Sequence, residues 1–152
     1  MTRPEKNHAE TAHKPGFTGR YRVYYEDTDA GGVMYHSRYL NFFERARTDW
    51  LRTLGLEQNA IARQHNVVFA VRRAQVDFIQ PARLDDKLMV TCELLSTGFA
   101  SLVFRQTMRH ENGNLLARAD IKAACVRASD FRPQALKNTP LAPLLPSRRN
   151  SA

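Results

Sequence analysis

The chain has 152 residues, of which 43% are hydrophobic, so length and composition fit one globular domain with a substantial core. No apolar stretch approaches the roughly 20 residues of a membrane-spanning helix, and no apolar run follows the charges at the N-terminus, so we expect neither a transmembrane segment nor a secretory signal. The formal net charge is +8, but only +4 lies on residues 20–129, a modest excess that suits anionic small molecules or acidic partners as well as nucleic acid.

The first predicted elements are a strand over residues 20–25 and a turn with the sequence EDTDAGG. Aspartate and threonine favour turns, and Gly31 and Gly32 permit backbone angles and close approaches that other residues resist. Glu26 and Asp27, at the start of the turn, are interpreted as turn residues that face solvent. We therefore expect the strand to end here.

One long amphipathic helix dominates the prediction, starting between Val33 and Ser37 and stopping at Gly55. Apolar side chains recur at spacings of three and four, which predicts that one face of the helix is buried. That face consists of Tyr39, Phe42, Phe43, Ala46, Trp50, Leu51 and Leu54. A face with so many aromatic side chains is large for a small domain, and something broad must cover it. A short second helix is predicted over residues 56–65.

After the second helix the apolar period changes to two, which predicts further strands and about five in all. In the first of these strands the buried phase slips at Arg72 and Arg73, which indicates a bulge. The sequence NGN at residues 112–114 predicts a hairpin between the last two strands. Cys92 and Cys125 lie in apolar strand runs, so we expect buried, reduced thiols rather than a disulfide.

The last strand has mainly alanine on one face, including Ala117 and Ala119. Such a face leaves volume for a bulky element, and the aromatic helix is the obvious occupant. We therefore predict an α+β fold in which an antiparallel β-sheet wraps around one long central α-helix. The predicted domain covers residues 20–136, between a flexible N-terminal tail (1–19) and an irregular C-terminal tail (137–152).

The turn before the central helix has features of a reactive site. Asp29 precedes the two glycines, which lead to helix amides that have no internal partner and carry a partial positive charge. An acid beside such donors can attack, or direct water at, an acyl carbon whose oxygen the donors stabilise. His36 is expected in the first helical turn, facing the same spot. The pattern favours acyl transfer to water without a serine or cysteine nucleophile; the alternatives are that Asp29 only caps the helix and that His36 only packs.

A family resemblance is carried by the segment that joins this acid, the glycine turn, the histidine and the helix at fixed spacing. The segment reads VYYEDTDAGGVMYHSRYLNFFERART. It resembles the 4-hydroxybenzoyl-CoA thioesterase branch of the hotdog-fold superfamily, and within it the acyl-CoA thioesterases encoded with the Tol-Pal envelope system. The segments AVRRAQVDFIQPARLDD and SLVFRQ and the alanine-rich strand continue the match over about residues 21–136.

The resemblance implies hydrolysis of acyl-CoA thioesters to a carboxylic acid and free coenzyme A. Matched residue by residue, it makes Asp29 the nucleophile or general base and lets His36, with the helix N-terminus, bind and polarise the thioester. It also places Tyr25 in the active site. We further expect substrate contacts from Gly32 and Val33 at the turn.

Arg72 and Arg73 are predicted to contact the substrate, because a guanidinium fork suits the phosphates of coenzyme A. A solvated strand face is the alternative for both arginines. No metal or redox cofactor is implied, since coenzyme A enters as part of the substrate and no metal-ligand spacing is visible.

The resemblance also has implications for assembly and location. Hotdog domains pair into a continuous sheet with active sites at the subunit interface, which implies a homodimer or a homotetramer built as a dimer of dimers. The expected location is the cytoplasm. The expected substrate is acyl-CoA, with acyl carrier protein as an alternative acyl donor.

Two other functions compete with hydrolysis. A non-catalytic module that binds acyl-CoA or acyl carrier protein in envelope lipid metabolism would have a pocket without turnover, and the intact pair of Asp29 and His36 argues against it. A basic nucleic-acid binder is disfavoured because the aromatic residues lie on the buried helix face and not on an exposed stacking platform.

Overall fold

The computed structural model describes residues 16–146. Within them a five-stranded antiparallel sheet with the order β1-β3-β4-β5-β2 packs against one long helix. The elements are β1 (Phe17–Arg22), α1 (Arg38–Thr53), α2 (Gln58–His65), β2 (Val67–Phe78), β3 (Lys87–Thr97), β4 (Ser101–His110) and β5 (Leu115–Arg127). This confirms the predicted α+β fold with an antiparallel sheet around a central helix.

The buried face of α1 matches the predicted face at every position except Leu54. Leu54 is 42% exposed because it follows the last helical residue, and Gly55, at φ 81°, turns the chain away as expected. Trp50 packs edge to face on Phe104 of β4, with ring centroids 5.5 Å apart. The helix is therefore anchored to the middle of the sheet by aromatic contacts.

The alanines predicted on the inner face of the last strand are buried, since Ala117 and Ala119 of β5 belong to the main hydrophobic cluster. The predicted bulge is confirmed by a register shift between Val71 and Arg73 of β2. Both cysteines are free and buried, as predicted. The predicted hairpin joins β4 and β5.

Both ends of the predicted first strand and the start of the helix differ from expectation. β1 begins at Phe17 and ends at Arg22, and residues 25–27 form a short 3₁₀ helix instead of strand. The helix α1 begins only at Arg38, because Val33 and Met34 form antiparallel bridges with Arg83 and Thr28 and are therefore extended. His36 therefore precedes the helix and does not lie in its first turn.

The chain after β5 contributes to the core. Short 3₁₀ helices cover Leu136–Asn138 and Ala142–Leu144, and Leu141 and Leu144 belong to the main hydrophobic cluster. How the chain divides into domain and tails stays a prediction, and residues 1–15 and 147–152 lie outside the described range.

Candidate active site

Asp29 lies at the start of a closed five-residue turn. Its amide donates to the carbonyl of Val33 (2.9 Å), and the amide of Gly32 donates back to the Asp29 carbonyl (3.0 Å). The Asp29 side chain accepts one hydrogen bond at Oδ1, from the amide of Gly31 (2.8 Å), and is exposed. Gly32 has φ +84°, a left-handed conformation that favours glycine. The carboxylate is thus held by one oxygen, while Oδ2 has no partner within residues 16–146.

The amide donors at the start of α1 are not those expected from the sequence. The amides of Arg38, Tyr39 and Leu40 donate to carbonyls three residues earlier, at 2.9, 3.4 and 3.3 Å, so the first helical turn is already satisfied. The amides of His36 and Ser37 have no hydrogen-bond acceptor in the described part of the chain. The free amide donors therefore belong to the two residues that precede the helix and not to its first turn.

His36 is exposed beside an open cavity of about 260 Å³. Its ring lies 4.4 Å from that of Tyr35, tilted by 43°. The cavity is lined by His36, Met34 and Tyr39 and by residues 78–81, which begin with the last residue of β2. The Tyr39 hydroxyl accepts a hydrogen bond from the amide of Ala82 (3.1 Å), which fixes this segment against α1. The cavity provides apolar walls next to the histidine.

Tyr25 opens the short 3₁₀ helix and is 80% exposed. Its carbonyl accepts hydrogen bonds from the amide (3.1 Å) and the hydroxyl (2.8 Å) of Thr28. Its phenol hydroxyl has no partner among residues 16–146. The side chain is therefore free to meet a ligand or a second subunit.

Asp27, interpreted from the sequence as a solvent-facing turn residue, is buried at 3% exposure. Its Oδ1 accepts hydrogen bonds from Nε (3.0 Å) and Nη2 (2.8 Å) of Arg38, and its Oδ2 accepts one from the amide of Tyr24 (2.9 Å). Its carbonyl accepts the amide of Tyr35 (2.9 Å). The solvent-facing interpretation was wrong, because an arginine eleven residues later folds back onto this carboxylate and clamps the reactive turn to α1.

Arg72 and Arg73 are exposed on β2, where the strand bulges, and neither forms an ion pair within the described residues. Phe78, at the end of this strand, lines the His36 cavity. The arginines lie five and six residues earlier, or roughly 17–20 Å back along the strand. Within one protomer the structure brings Asp29, Gly32, Val33 and His36 onto one short segment, and it does not bring the two arginines to them.

Residues 16–146 contain no group of three or more His, Cys, Asp or Glu side chains arranged to hold a metal ion. In the same part of the chain, none of the helices combines the length and apolarity needed to cross a membrane.

Comparison with known proteins gives one consistent family. The profile of the Thioesterase superfamily matches residues 31–117. The acyl-CoA thioesterase YbgC of Haemophilus influenzae is 45% identical over 120 residues, covering 79% of this chain and 88% of the relative. The acyl-CoA thioester hydrolase YbgC of Escherichia coli O157:H7 is 45% identical over 115 residues, covering 76% and 85%.

Solved structures agree on the fold. A probable thioesterase from Bartonella henselae superposes with a TM-score of 0.76 at 30% identity, covering 80% of this chain and 99% of that one. A DHNA-CoA thioesterase from Staphylococcus aureus superposes with a TM-score of 0.77 at 23% identity, covering 81% and 82%. The second likeness concerns the fold alone.

Proposed function

Since the chain belongs to the Thioesterase superfamily, and within it to the YbgC acyl-CoA thioesterases, it is a thioester hydrolase, and we propose that it converts acyl-CoA and water to a carboxylic acid and coenzyme A. The membership confirms the resemblance read from the sequence. The observation that best supports the proposed site is the turn in which one oxygen of Asp29 is held by Gly31 while the other is free and exposed.

In the proposed reaction, the free Oδ2 of Asp29 is the reacting atom of the protein. It either attacks the thioester carbonyl carbon, giving a mixed anhydride that water then hydrolyses, or removes a proton from a water molecule that attacks this carbon. On both routes the C–S bond breaks and coenzyme A leaves with the sulfur electrons. A single turnover in ¹⁸O-water leaves the label in the Asp29 carboxylate only when a mixed anhydride forms and water attacks its Asp29 carbonyl carbon, so label found in Asp29 establishes the covalent route.

The carbonyl oxygen becomes negative in both routes and needs donors. We assign this role to the amides of His36 and Ser37, which lack protein acceptors in the described chain and lie at the positive end of the α1 dipole. The His36 ring and the exposed Tyr25 phenol are assigned to binding the thioester, with Gly32 and Val33 forming the wall of the turn. Of these residues, His36 lines the 260 Å³ cavity.

A second subunit completes the proposed site. β2 is an edge strand of the sheet and has exposed apolar residues along and after it, namely Val71, Phe78 and Ile79. Antiparallel pairing of two β2 strands about a two-fold axis would continue the sheet and cover this edge. We propose a homodimer of this kind, alone or as half of a homotetramer. The unpaired Arg72 and Arg73 would then lie at the interface, available to the phosphates of coenzyme A.

The biological setting is proposed on the same family ground. We place the enzyme in the cytoplasm, where reduced thiols such as Cys92 and Cys125 persist, and associate it with the Tol-Pal envelope system. Acyl carrier protein is the alternative carrier of the acyl group. The reaction as written needs no metal or redox cofactor.

The test compares turnover by the wild type, Asp29→Asn and Asp130→Asn, with thiol release followed on a panel of acyl-CoAs. Asparagine is isosteric but neither attacks nor takes a proton, so kcat/KM should fall at least about 100-fold. Asp130 is the control aspartate. It follows the end of β5 and is ion-paired with Arg127, so its variant should retain the wild-type rate. Equal rates for all three proteins would contradict the assignment of Asp29, and binding without turnover by the wild type would favour the non-catalytic module.

A further inference from the structure

A second cavity, of about 90 Å³, lies between α1, the start of β2 and the sheet. It has apolar walls and a polar side. The residues that matter here are Leu51, Phe69 and Phe104 among the walls, and Glu44, Arg47 and Gln58 on the polar side. A cavity of this size has room for about three water-sized groups, so it fits the end of a short chain.

Arg47 is the unusual member of this lining. Its Nη1 donates to Oε1 of Gln106 (3.0 Å), a fully buried side chain whose own amide donates to the carbonyls of Phe43 (3.0 Å) and Thr91 (3.2 Å). These two donations fix Gln106 with its oxygen toward the arginine. The guanidinium has five N–H donors, and the other four have no hydrogen-bond partner in residues 16–146.

No carboxylate lies within 4.0 Å of the Arg47 guanidinium in the described part of the chain, whereas Arg38 and Arg52 both form such pairs. Burial lowers the pKa of Arg47, because a charged group is disfavoured away from water. A poorly solvated cation with unused donors attracts an acceptor oxygen. Glu44, which lines the same cavity, acts on Arg47 only from beyond 4.0 Å, so the unused donors are open to an acceptor oxygen of a ligand.

The proposed dimer brings this cavity to the reacting groups. Phe69 and Val71, at the start of β2, line the 90 Å³ cavity, and Phe78 and Ile79, at its end, line the cavity beside His36. When two β2 strands pair antiparallel about a two-fold axis, the start of one strand lies beside the end of the other. Each Arg47 cavity then adjoins the His36 cavity of the second protomer.

We propose that the Arg47 cavity receives the far end of the acyl group and selects short acyl groups that end in an acceptor oxygen, such as a ketone, hydroxyl or carboxylate. Arg47 is the specificity-determining residue, donating to that oxygen. The inference rests on the proposed thioesterase function and on the β2 dimer. It adds to them the chemical class of the acyl group.

The test uses two acyl-CoAs of nearly equal shape, 4-oxopentanoyl-CoA and 4-methylpentanoyl-CoA, which differ by an oxygen in place of a methyl group. The wild type should prefer the oxo substrate, because a site built to hydrogen-bond an oxygen rejects the analogue that lacks it. In Arg47→Met the ratio of the two kcat/KM values should fall about tenfold or more. The rate with the methyl substrate should rise in the same variant, which the loss of a merely structural contact would not cause.

Arg45→Met is the matched control, because Arg45 lies on the same helix with its guanidinium 4.7 Å above the Phe42 ring and does not line the cavity. Its substrate ratio should equal that of the wild type. Should Arg47→Met fail to fold, Arg47→Met combined with Gln106→Leu removes both partners together and avoids an orphaned buried amide oxygen.

Three outcomes decide the inference. A fall in the ratio for Arg47→Met, or for the double variant, but not for Arg45→Met supports it. An unchanged ratio in folded Arg47 variants that hydrolyse both substrates overturns it and leaves the proposed function intact. A wild type that hydrolyses no acyl-CoA overturns the proposed function first, and the selectivity with it.

Discussion

At the scale of single residues, the reactive turn depends on a buried ion pair that does not itself face the substrate site. Asp27 receives both Nε and Nη2 of Arg38 and also the amide of Tyr24, so one carboxylate ties the chain before the turn to the start of α1. A charged group with this many hydrogen bonds is expensive to disturb, because its partners are left unpaired. This contact therefore also positions Asp29, which lies two residues further along the chain.

We predict that Asp27→Asn lowers the free energy of unfolding by about 2 kcal/mol, since the hydrogen bonds to a charged partner are weakened. It should also lower kcat more than it raises KM, because the reacting groups are displaced while the binding walls remain. Urea unfolding and steady-state kinetics measure both effects. Glu26→Gln is the control, since Glu26 is an exposed partner of the same Arg38 at 3.8 Å and should change stability by less than about 1 kcal/mol. Equal effects of the two variants would contradict the positioning role.

The burial of the two cysteines leads to a second prediction about single residues. It raises the pKa of Cys92 to about 12 and that of Cys125 to about 11, so little thiolate forms near neutral pH. Native protein should therefore not react with a thiol reagent until it is unfolded. The folded pKa values are raised, so the burial of the neutral thiols contributes its whole share to the free energy of unfolding below the unfolded pKa. That contribution is lost as pH rises toward the folded pKa values. Rapid reaction of native protein at pH 8 would contradict this burial.

At the scale of elements, the helix shows what the sequence can and cannot predict. Its buried face follows from the local spacing of apolar residues and was predicted correctly, apart from the exposed Leu54. Its end follows from the positive φ of Gly55 and was also predicted correctly. Its start was placed too early, because Val33 forms a bridge with Arg83, a residue far along the chain that no local pattern reveals. The clamp between Asp27 and Arg38 was missed for the same reason.

The glycine turn gives an element-scale prediction. Gly32 has φ +84° and open space at its Cβ position, so Gly32→Ala should cost about 1 kcal/mol through backbone strain alone. In Gly31→Ala the new Cβ would meet Oδ1 of Asp29 at 3.3 Å, so activity should fall more than stability. Thermal melts and kcat/KM of the two variants measure the contrast. A Gly31→Ala enzyme with full activity would show that the Asp29 side chain is not held as described.

At the scale of the whole molecule, the edge strand β2 joins the site to the assembly. Its exposed apolar residues, and the position of both cavities at its two ends, are explained together if a second copy pairs with it. The sequence predicted the bulge at Arg72 and Arg73 and the antiparallel sheet. It did not predict the Arg47 cavity, since α1, β2 and β4 form it only after folding.

We predict that Val71→Lys, which puts charge on this edge, converts the protein to monomers and reduces hydrolysis. Phe99→Lys is the control, because Phe99 is also exposed, at 73%, but lies in the turn between β3 and β4. Sedimentation velocity and thiol release on the same samples measure both properties. An active Val71→Lys monomer would contradict a site completed across β2.

The central claim is that the Asp29 carboxylate acts on the bound thioester, and the most direct measurement is a single turnover with enzyme in excess over acyl-CoA. Under these conditions the rate constant reports the chemistry after binding. The account predicts that folded Asp29→Asn still binds the acyl-CoA but releases thiol at least about 100-fold more slowly than the wild type. A rate constant equal to that of the wild type would contradict it.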